Sequence, residues 1–127
     1  FQQHIEAQCK RLRILGFTGT PIIRGNLNAM DKSLLPSLQT VCTEILNNIA
    51  KHGKPGAFAF VLSIESDEVR IFASNLYSDA MNNVPENHYG TTLIQDFAQQ
   101  HNGTMTINSE NEEWSLSLAI PLTHQTH

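Results

Sequence analysis

Two strand hairpins, with helical segments before and between them, constrain the fold more than any other feature of the sequence. Residues 57–64 carry apolar side chains at every second position, and residues 69–73 repeat the pattern after the acidic turn 65–68. Alternation around a polar turn predicts an antiparallel hairpin with one buried face. Residues 104–108 and 114–121 predict a second hairpin of the same kind.

Three segments carry apolar residues at helical spacing. They are residues 1–15, a segment that starts between residues 33 and 37 and runs to about Lys51, and residues 92–101. Gly16 follows the first segment, and Pro36 suits the first turn of the second. The predicted buried side chains are Ile5, Cys9 and Leu12; Leu38, Val41, Cys42, Ile45 and Ile49; and Leu93, Ile94, Phe97 and Ala98.

The order of these elements predicts a two-layer α/β sandwich, an α+β fold. Runs of antiparallel strands with helices between them favour an open, mixed, mostly antiparallel sheet with all helices on one face. Residues 20–24 predict a short strand at the sheet edge, because Pro21 cannot donate a hydrogen bond to a neighbouring strand. Residues 75–87 form a long polar stretch without periodicity, which favours a functional lid.

Composition excludes several classes of protein. The 127 residues, 40% of them hydrophobic, suit one domain with an ordinary core. A net charge of −4 gives no basic field for nucleic acid or an anionic membrane. No run of about 18 apolar residues predicts a membrane span. Cys9 and Cys42 stand alone in helical segments, which favours two buried free thiols over a disulfide.

Three polar side chains share one side of the second predicted helix. Glu44, Asn48 and Lys51 are spaced i, i+4 and i+7, so they lie within about 60° of one another. An amide oxygen suits Mg²⁺, lysine can balance phosphate charge, and a carboxylate can orient or deprotonate a nucleophile. On spacing alone, the alternative is an ordinary solvated helix face.

Residues 44–52 resemble the N box of the Bergerat-fold (GHKL) ATPases, which include gyrase and the bacterial sensor histidine kinases. The pattern Glu, three residues, Asn, two residues, Lys-His resembles the sensor kinase form, and the element order is similar over nearly the whole chain. The resemblance implies the Bergerat ATP-binding fold, with ATP and Mg²⁺ as ligands. A gyrase- or Hsp90-like ATPase or an anti-sigma kinase is the alternative with the same fold.

The resemblance also implies roles for individual residues. Asn48 would coordinate Mg²⁺, Glu44 would act as general base or orienting group, and Lys51 and His52 would face the phosphates. The alternative for His52 is a residue at the helix C-terminus that the helix dipole stabilises.

The first glycine box departs from the family pattern. Where the family has Asp-x-Gly, with the carboxylate accepting the adenine amino group, this chain has Asn75 and Tyr77 in place of Asp and Gly. The Asn75 oxygen can accept the same hydrogen bond without the charge that strengthens it. The Tyr77 ring must swing away or lie against the purine.

The second glycine box is also altered. His88 replaces the first glycine, whereas Gly90 is kept and Thr91 follows at the start of the third helix. Gly90 and Thr91 would therefore meet phosphate at a helix N-terminus. His88 is either an added phosphate contact or a surface histidine. Both departures together predict ATP binding that is weaker than usual or that is assisted by regions outside this chain.

The resemblance further implies an incomplete kinase. Residues 1–15 would end a preceding dimerisation helix and residues 16–127 would form the catalytic domain. The enzyme would transfer the ATP γ-phosphate to a histidine on a separate helical domain, and then serve a response regulator. The whole protein would be a homodimer, anchored in the membrane outside this chain, with this domain in the cytoplasm. The alternative is a degenerate domain with weak or no ATP binding that serves only in dimer or regulator contacts.

Overall fold

The computed structural model describes residues 1–26, 30, 32–76, 91–110 and 112–122, without the side chains of His52, Thr91 and Glu110. The described helices are α1 (Gln2–Ile14), α2 (Leu35–His52) and α3 (Thr91–Gln100). The strands are β1 (Pro21–Arg24), β2 (Phe58–Ile64), β3 (Glu68–Leu76), β4 (Thr104–Glu110) and β5 (Glu113–Pro121).

The five described strands form one mixed sheet in the order β1-β2-β3-β5-β4. β1 pairs with β2 in parallel, and the other three pairings are antiparallel. β1 lies at the edge, as the proline at its start predicts. The predicted two-layer arrangement is confirmed, because alternate residues of β2, β3 and β5 are buried and the helices pack on that side alone.

The core lies between the helices and this buried face of the sheet. β2 contributes a continuous row of buried side chains from alternate positions: Phe58, Phe60, Leu62 and Ile64. α1 packs along α2, and its three predicted apolar residues are fully buried. α2 is buried over a wider arc than the predicted stripe, because Leu46 is also inside. That wider arc follows from contacts with α1 and α3 as well as with the core.

Both cysteines are free and buried, as predicted. Burial raises the pKa of the Cys9 thiol to about 11, with Arg13 opposing the shift and Glu6 adding to it. Burial also raises the pKa of Cys42. Both thiols therefore stay protonated at neutral pH, as apolar members of the core.

Two details of the predicted elements are wrong. Asn75 and Leu76 do not begin the long loop, because their backbones pair with Trp114 and Glu113 of β5 and extend β3. Leu93 is not on the buried face of α3 and is 41% exposed. That face is narrow and is filled by Ile94, Phe97 and Ala98.

Within the described residues, no helix is long and apolar enough to cross a membrane. The rest of the predicted lid, residues 77–87, lies outside the described residues.

Candidate functional site

The candidate site lies where the C-terminal half of α2 meets the end of β3. Asn48 of α2 and Asn75 of β3 are the two buried polar side chains of the described residues, each 5% exposed. Both project into the space between the helices and the sheet, since Asn75 belongs to the inward row of β3. Buried amides in an apolar layer need hydrogen-bond partners, so their partners indicate what the site does.

Asn48 lacks such a partner on its amino group. Its Nδ2 is the one buried side-chain nitrogen or oxygen without a hydrogen bond in the part of the chain that the structure describes. A buried donor left unpaired destabilises a protein by about 1–3 kcal/mol. A group of that kind fits a ligand that arrives from outside the chain.

Glu44 and Lys51 flank Asn48 on the uninterrupted helix α2, as the sequence spacing predicts. Around the helix axis Glu44 lies between the other two, and burial rises from the exposed Lys51 through the half-buried Glu44 to the buried Asn48. The one ion pair among the described side chains joins Arg70 to Glu68, so Glu44 and Lys51 do not pair with each other. Among the described residues, neither the Glu44 carboxylate nor the Lys51 ammonium has an ionic partner.

Asn75 is held by its own strand. Its Nδ2 donates a hydrogen bond to the Leu76 carbonyl, at 2.8 Å, and that carbonyl also accepts one from the backbone N–H of Lys54, at 2.7 Å. Lys54 follows directly after α2 and Gly53, so these bonds tie the end of the helix to the end of β3. Asn75 therefore sits beside the helix that carries Asn48.

Gly53 is a site residue that sequence reasoning missed. A β-carbon at this position would overlap the Asn75 amide. A glycine directly after residues 44–52 was the available signal, but its spatial partner lies 22 residues further along the chain.

Several predicted site residues lie outside the described parts of the structure. They are Tyr77, His88, Gly90 and the side chains of His52 and Thr91. The backbone of α3 begins at Thr91, one residue before its predicted start. A helix N-terminus is thus present where the second glycine box ends.

Two other surface features do not belong to this site. The turn between β2 and β3 gathers three acidic side chains, and the hydrogen bond and charge of Glu68 raise the pKa of Arg70. That turn is at the opposite end of β3 from Asn75. A shallow depression on the open face of the sheet, lined by Phe72 and Thr106 among others, holds none of the predicted site residues.

Comparison with solved structures identifies the fold to which this arrangement belongs. No protein-family model and no curated protein sequence matches the chain. The nucleotide-free catalytic domain of the histidine kinase ThkA matches with a TM-score of 0.68 and 12% identity, over 97% of this chain and 95% of that one. This chain has the fold of a histidine kinase catalytic domain. The Bergerat-fold prediction is thereby confirmed, and at 12% identity the match shows the fold alone.

Two longer kinases match in the same way. The histidine kinase AdeS of Acinetobacter baumannii matches with a TM-score of 0.72 and 10% identity, over 97% of this chain and 63% of that chain. A blue-light-activated histidine kinase of Erythrobacter litoralis matches with a TM-score of 0.67 and 13% identity, over 94% and 41%. In both matches the described fold corresponds to one part of a larger kinase.

Proposed function

We propose that this chain is the ATP-binding catalytic domain of a two-component sensor histidine kinase. It would bind Mg-ATP and transfer the γ-phosphoryl group to a histidine on a separate helical domain. The observation that carries the proposal is the buried Nδ2 of Asn48, which has no hydrogen-bond partner among the described residues and lies on the same helix as Glu44 and Lys51. The histidine kinase fold supports the same function.

The Asn48 carboxamide fits a magnesium triphosphate with both of its ends. Its oxygen is a hard ligand suited to Mg²⁺, and its free Nδ2 can donate to a phosphate oxygen. When bound, the metal neutralises charge on the phosphate chain. Asn48 is therefore the residue we assign to the metal, within a site that binds ATP.

Glu44 and Lys51 would supply the remaining chemistry on α2. The exposed Lys51 ammonium can contact the phosphates, and the half-buried Glu44 carboxylate can orient the acceptor imidazole and take its proton. The bond between the γ-phosphorus and the bridging oxygen breaks, a nitrogen–phosphorus bond forms, and ADP leaves. Positioning and charge neutralisation carry most of this catalysis. We retain His52, Tyr77, Gly90 and Thr91 as nucleotide-contact residues.

The acceptor histidine belongs to a partner domain in this proposal. Residues 1–15 would end the helix that connects to that domain, and residues 16–127 would form the catalytic domain. α1 packs along α2, so the connection would reach the helix that carries Asn48. We further propose a homodimeric, membrane-anchored kinase whose catalytic domain is cytoplasmic and whose phosphoryl group passes to a response regulator.

Calorimetric titration with Mg-ATP tests the proposal. We expect binding that requires Mg²⁺ and that falls at least about 100-fold in Asn48→Ala, because metal and phosphate contacts are lost together. The matched control is Asn47→Ala, which removes the same side chain from the adjacent, half-buried position and should bind like the parent. Equal losses in both variants would contradict the role of Asn48.

The second candidate function is an interaction module without productive ATP binding. The neutral Asn75, where the family has a carboxylate, favours it. No binding at millimolar Mg-ATP, either with this chain or with the acceptor helices added, would select this candidate.

A further inference from the structure

Gly53 leaves a space that the Asn75 side chain fills. Its backbone torsions, φ −81° and ψ 161°, are open to any residue, so its lack of a side chain is a matter of room. A β-carbon at Gly53 would overlap Asn75 Nδ2, and would lie 2.5 Å from the Ile49 carbonyl oxygen and 3.2 Å from Phe17 Cε2. The slot is closed on three sides, by a helix carbonyl, a core ring and the Asn75 amide.

The hydrogen bond of Asn75 fixes which way its amide points. Only the amino end of a carboxamide can donate to a carbonyl, and the group 2.8 Å from the Leu76 oxygen is therefore Nδ2. The Leu76 carbonyl is itself fixed by the backbone N–H of Lys54. With Nδ2 engaged and packed against Gly53, Oδ1 is the end of the amide left to meet a ligand.

We propose that Gly53 is a positioning residue for base recognition. By leaving room for the Asn75 amide, it keeps Nδ2 on the Leu76 carbonyl and presents Oδ1 as a fixed acceptor. This inference rests on the proposed nucleotide site and deepens it, since a fixed acceptor selects a base with an amino group at its edge. A base with a carbonyl there would set two acceptors against each other.

An alanine at position 53 would displace the Asn75 amide more readily than either of its other two neighbours, the Ile49 carbonyl and the Phe17 ring. The Ile49 carbonyl is held by its hydrogen bond from the backbone N–H of residue 53, and Phe17 is 3% exposed in the core. The Asn75 amide is joined to its surroundings by one described hydrogen bond. Its rotation relieves the overlap most cheaply, and Oδ1 then leaves its position.

The test compares ATP with inosine triphosphate, whose base carries a carbonyl oxygen in place of the 6-amino group and a proton on N1. We expect the parent chain to bind ATP at least about tenfold more tightly than the inosine analogue, because an unpaired buried acceptor weakens binding by such factors. In Gly53→Ala the ATP affinity should fall to that of the inosine analogue, whose own affinity stays unchanged. A merely structural role for Gly53 would weaken both nucleotides equally and overturn the proposal.

Two further variants make the test specific. Gly103→Ala adds a β-carbon at an equally crowded glycine directly before β4, away from the site, and should leave the ratio of the ATP affinity to the inosine triphosphate affinity unchanged. Asn75→Ala should abolish the ratio, and adding Gly53→Ala to it should then have no further effect on the ratio. A further change in that double variant would show that Gly53 does not act through Asn75.

A measurement on the unmodified chain covers the case in which Gly53→Ala does not fold. The Asn75 side-chain amide protons should exchange with water at least about tenfold more slowly than those of the half-buried Asn47, by NMR without nucleotide. Equal exchange would overturn the fixed orientation. Absence of any nucleotide binding would instead contradict the proposed function, whereas equal binding of ATP and the inosine analogue would contradict only this inference.

Discussion

The two buried asparagines are equally hidden from solvent but differ in their partners. Asn75 gives its amino group to the Leu76 carbonyl, whereas the amino group of Asn48 has no partner among the described residues. A satisfied amide can be maintained as part of the structure, while an unsatisfied one destabilises the fold unless a ligand compensates. The chain thus fixes the Asn75 amide, at what we call the prearranged end of the site. At the other end, the open end, the Asn48 amino group is left without a partner among the described residues.

The surroundings of Asn48 and Asn75 differ in the same way as their hydrogen bonding does. Asn48 lies between a half-buried carboxylate and an exposed ammonium on α2. Asn75 lies against Gly53 and the backbone that joins the end of α2 to β3. Under the proposed function, the open end would receive the metal and the phosphates, and the prearranged end would receive the base.

The largest expected effect is the difference in stability between two single variants, each with leucine in place of one of the two asparagines. Asn48→Leu should raise the free energy of unfolding by about 1 kcal/mol, because a similar volume replaces a buried donor without a partner. Asn75→Leu should lower it by about 2 kcal/mol, because the bond to the Leu76 carbonyl is lost and the branched end meets Gly53. Urea denaturation of the parent and both variants measures the difference. Shifts in the same direction would break the comparison.

Periodicity predicted most of the fold. The alternation in β2 and the helical spacing in α1 placed the buried residues correctly, because one face of each element meets the core. Pro21 placed β1 at the edge. Leu93 was misplaced because an apolar residue next to a buried stripe can still face water when that stripe is narrow.

The site was predictable only in part. The spacing of Glu44, Asn48 and Lys51 correctly placed the three side chains on one side of a helix. The burial of Asn48, however, depends on how much of the α2 surface is covered by the rest of the fold. The contact between Gly53 and Asn75 depends on where β3 ends relative to α2. No local pattern encodes a distance between segments that far apart, so that part of the site required the structure.

A smaller effect should come from the buried thiol of Cys9 on α1. The folded state holds the Cys9 proton to about pH 11 and the unfolded chain releases it near 9.0, so stability falls as pH rises through this interval. At pH 10 the release of this proton on unfolding lowers the free energy of unfolding by on the order of 1 kcal/mol. The change in unfolding free energy from pH 8 to pH 10 should be smaller in Cys9→Ala by that amount. An identical change in both proteins would contradict the raised pKa of the buried thiol.

The smallest expected effect tests whether the site is confined to one side of α2. His4 Nε2 and Thr43 Oγ1 lie 2.7 Å apart in a part-buried hydrogen bond that joins α1 to α2. Thr43 is five residues before Asn48, which places it about 140° away around the helix. Thr43→Val should lower the free energy of unfolding by about 0.5–1 kcal/mol, measured by urea denaturation, and leave the Mg-ATP affinity unchanged. An affinity loss comparable to that of Asn48→Ala would mean that the open end of the site depends on the packing of α1, and that the two sides of α2 do not act separately.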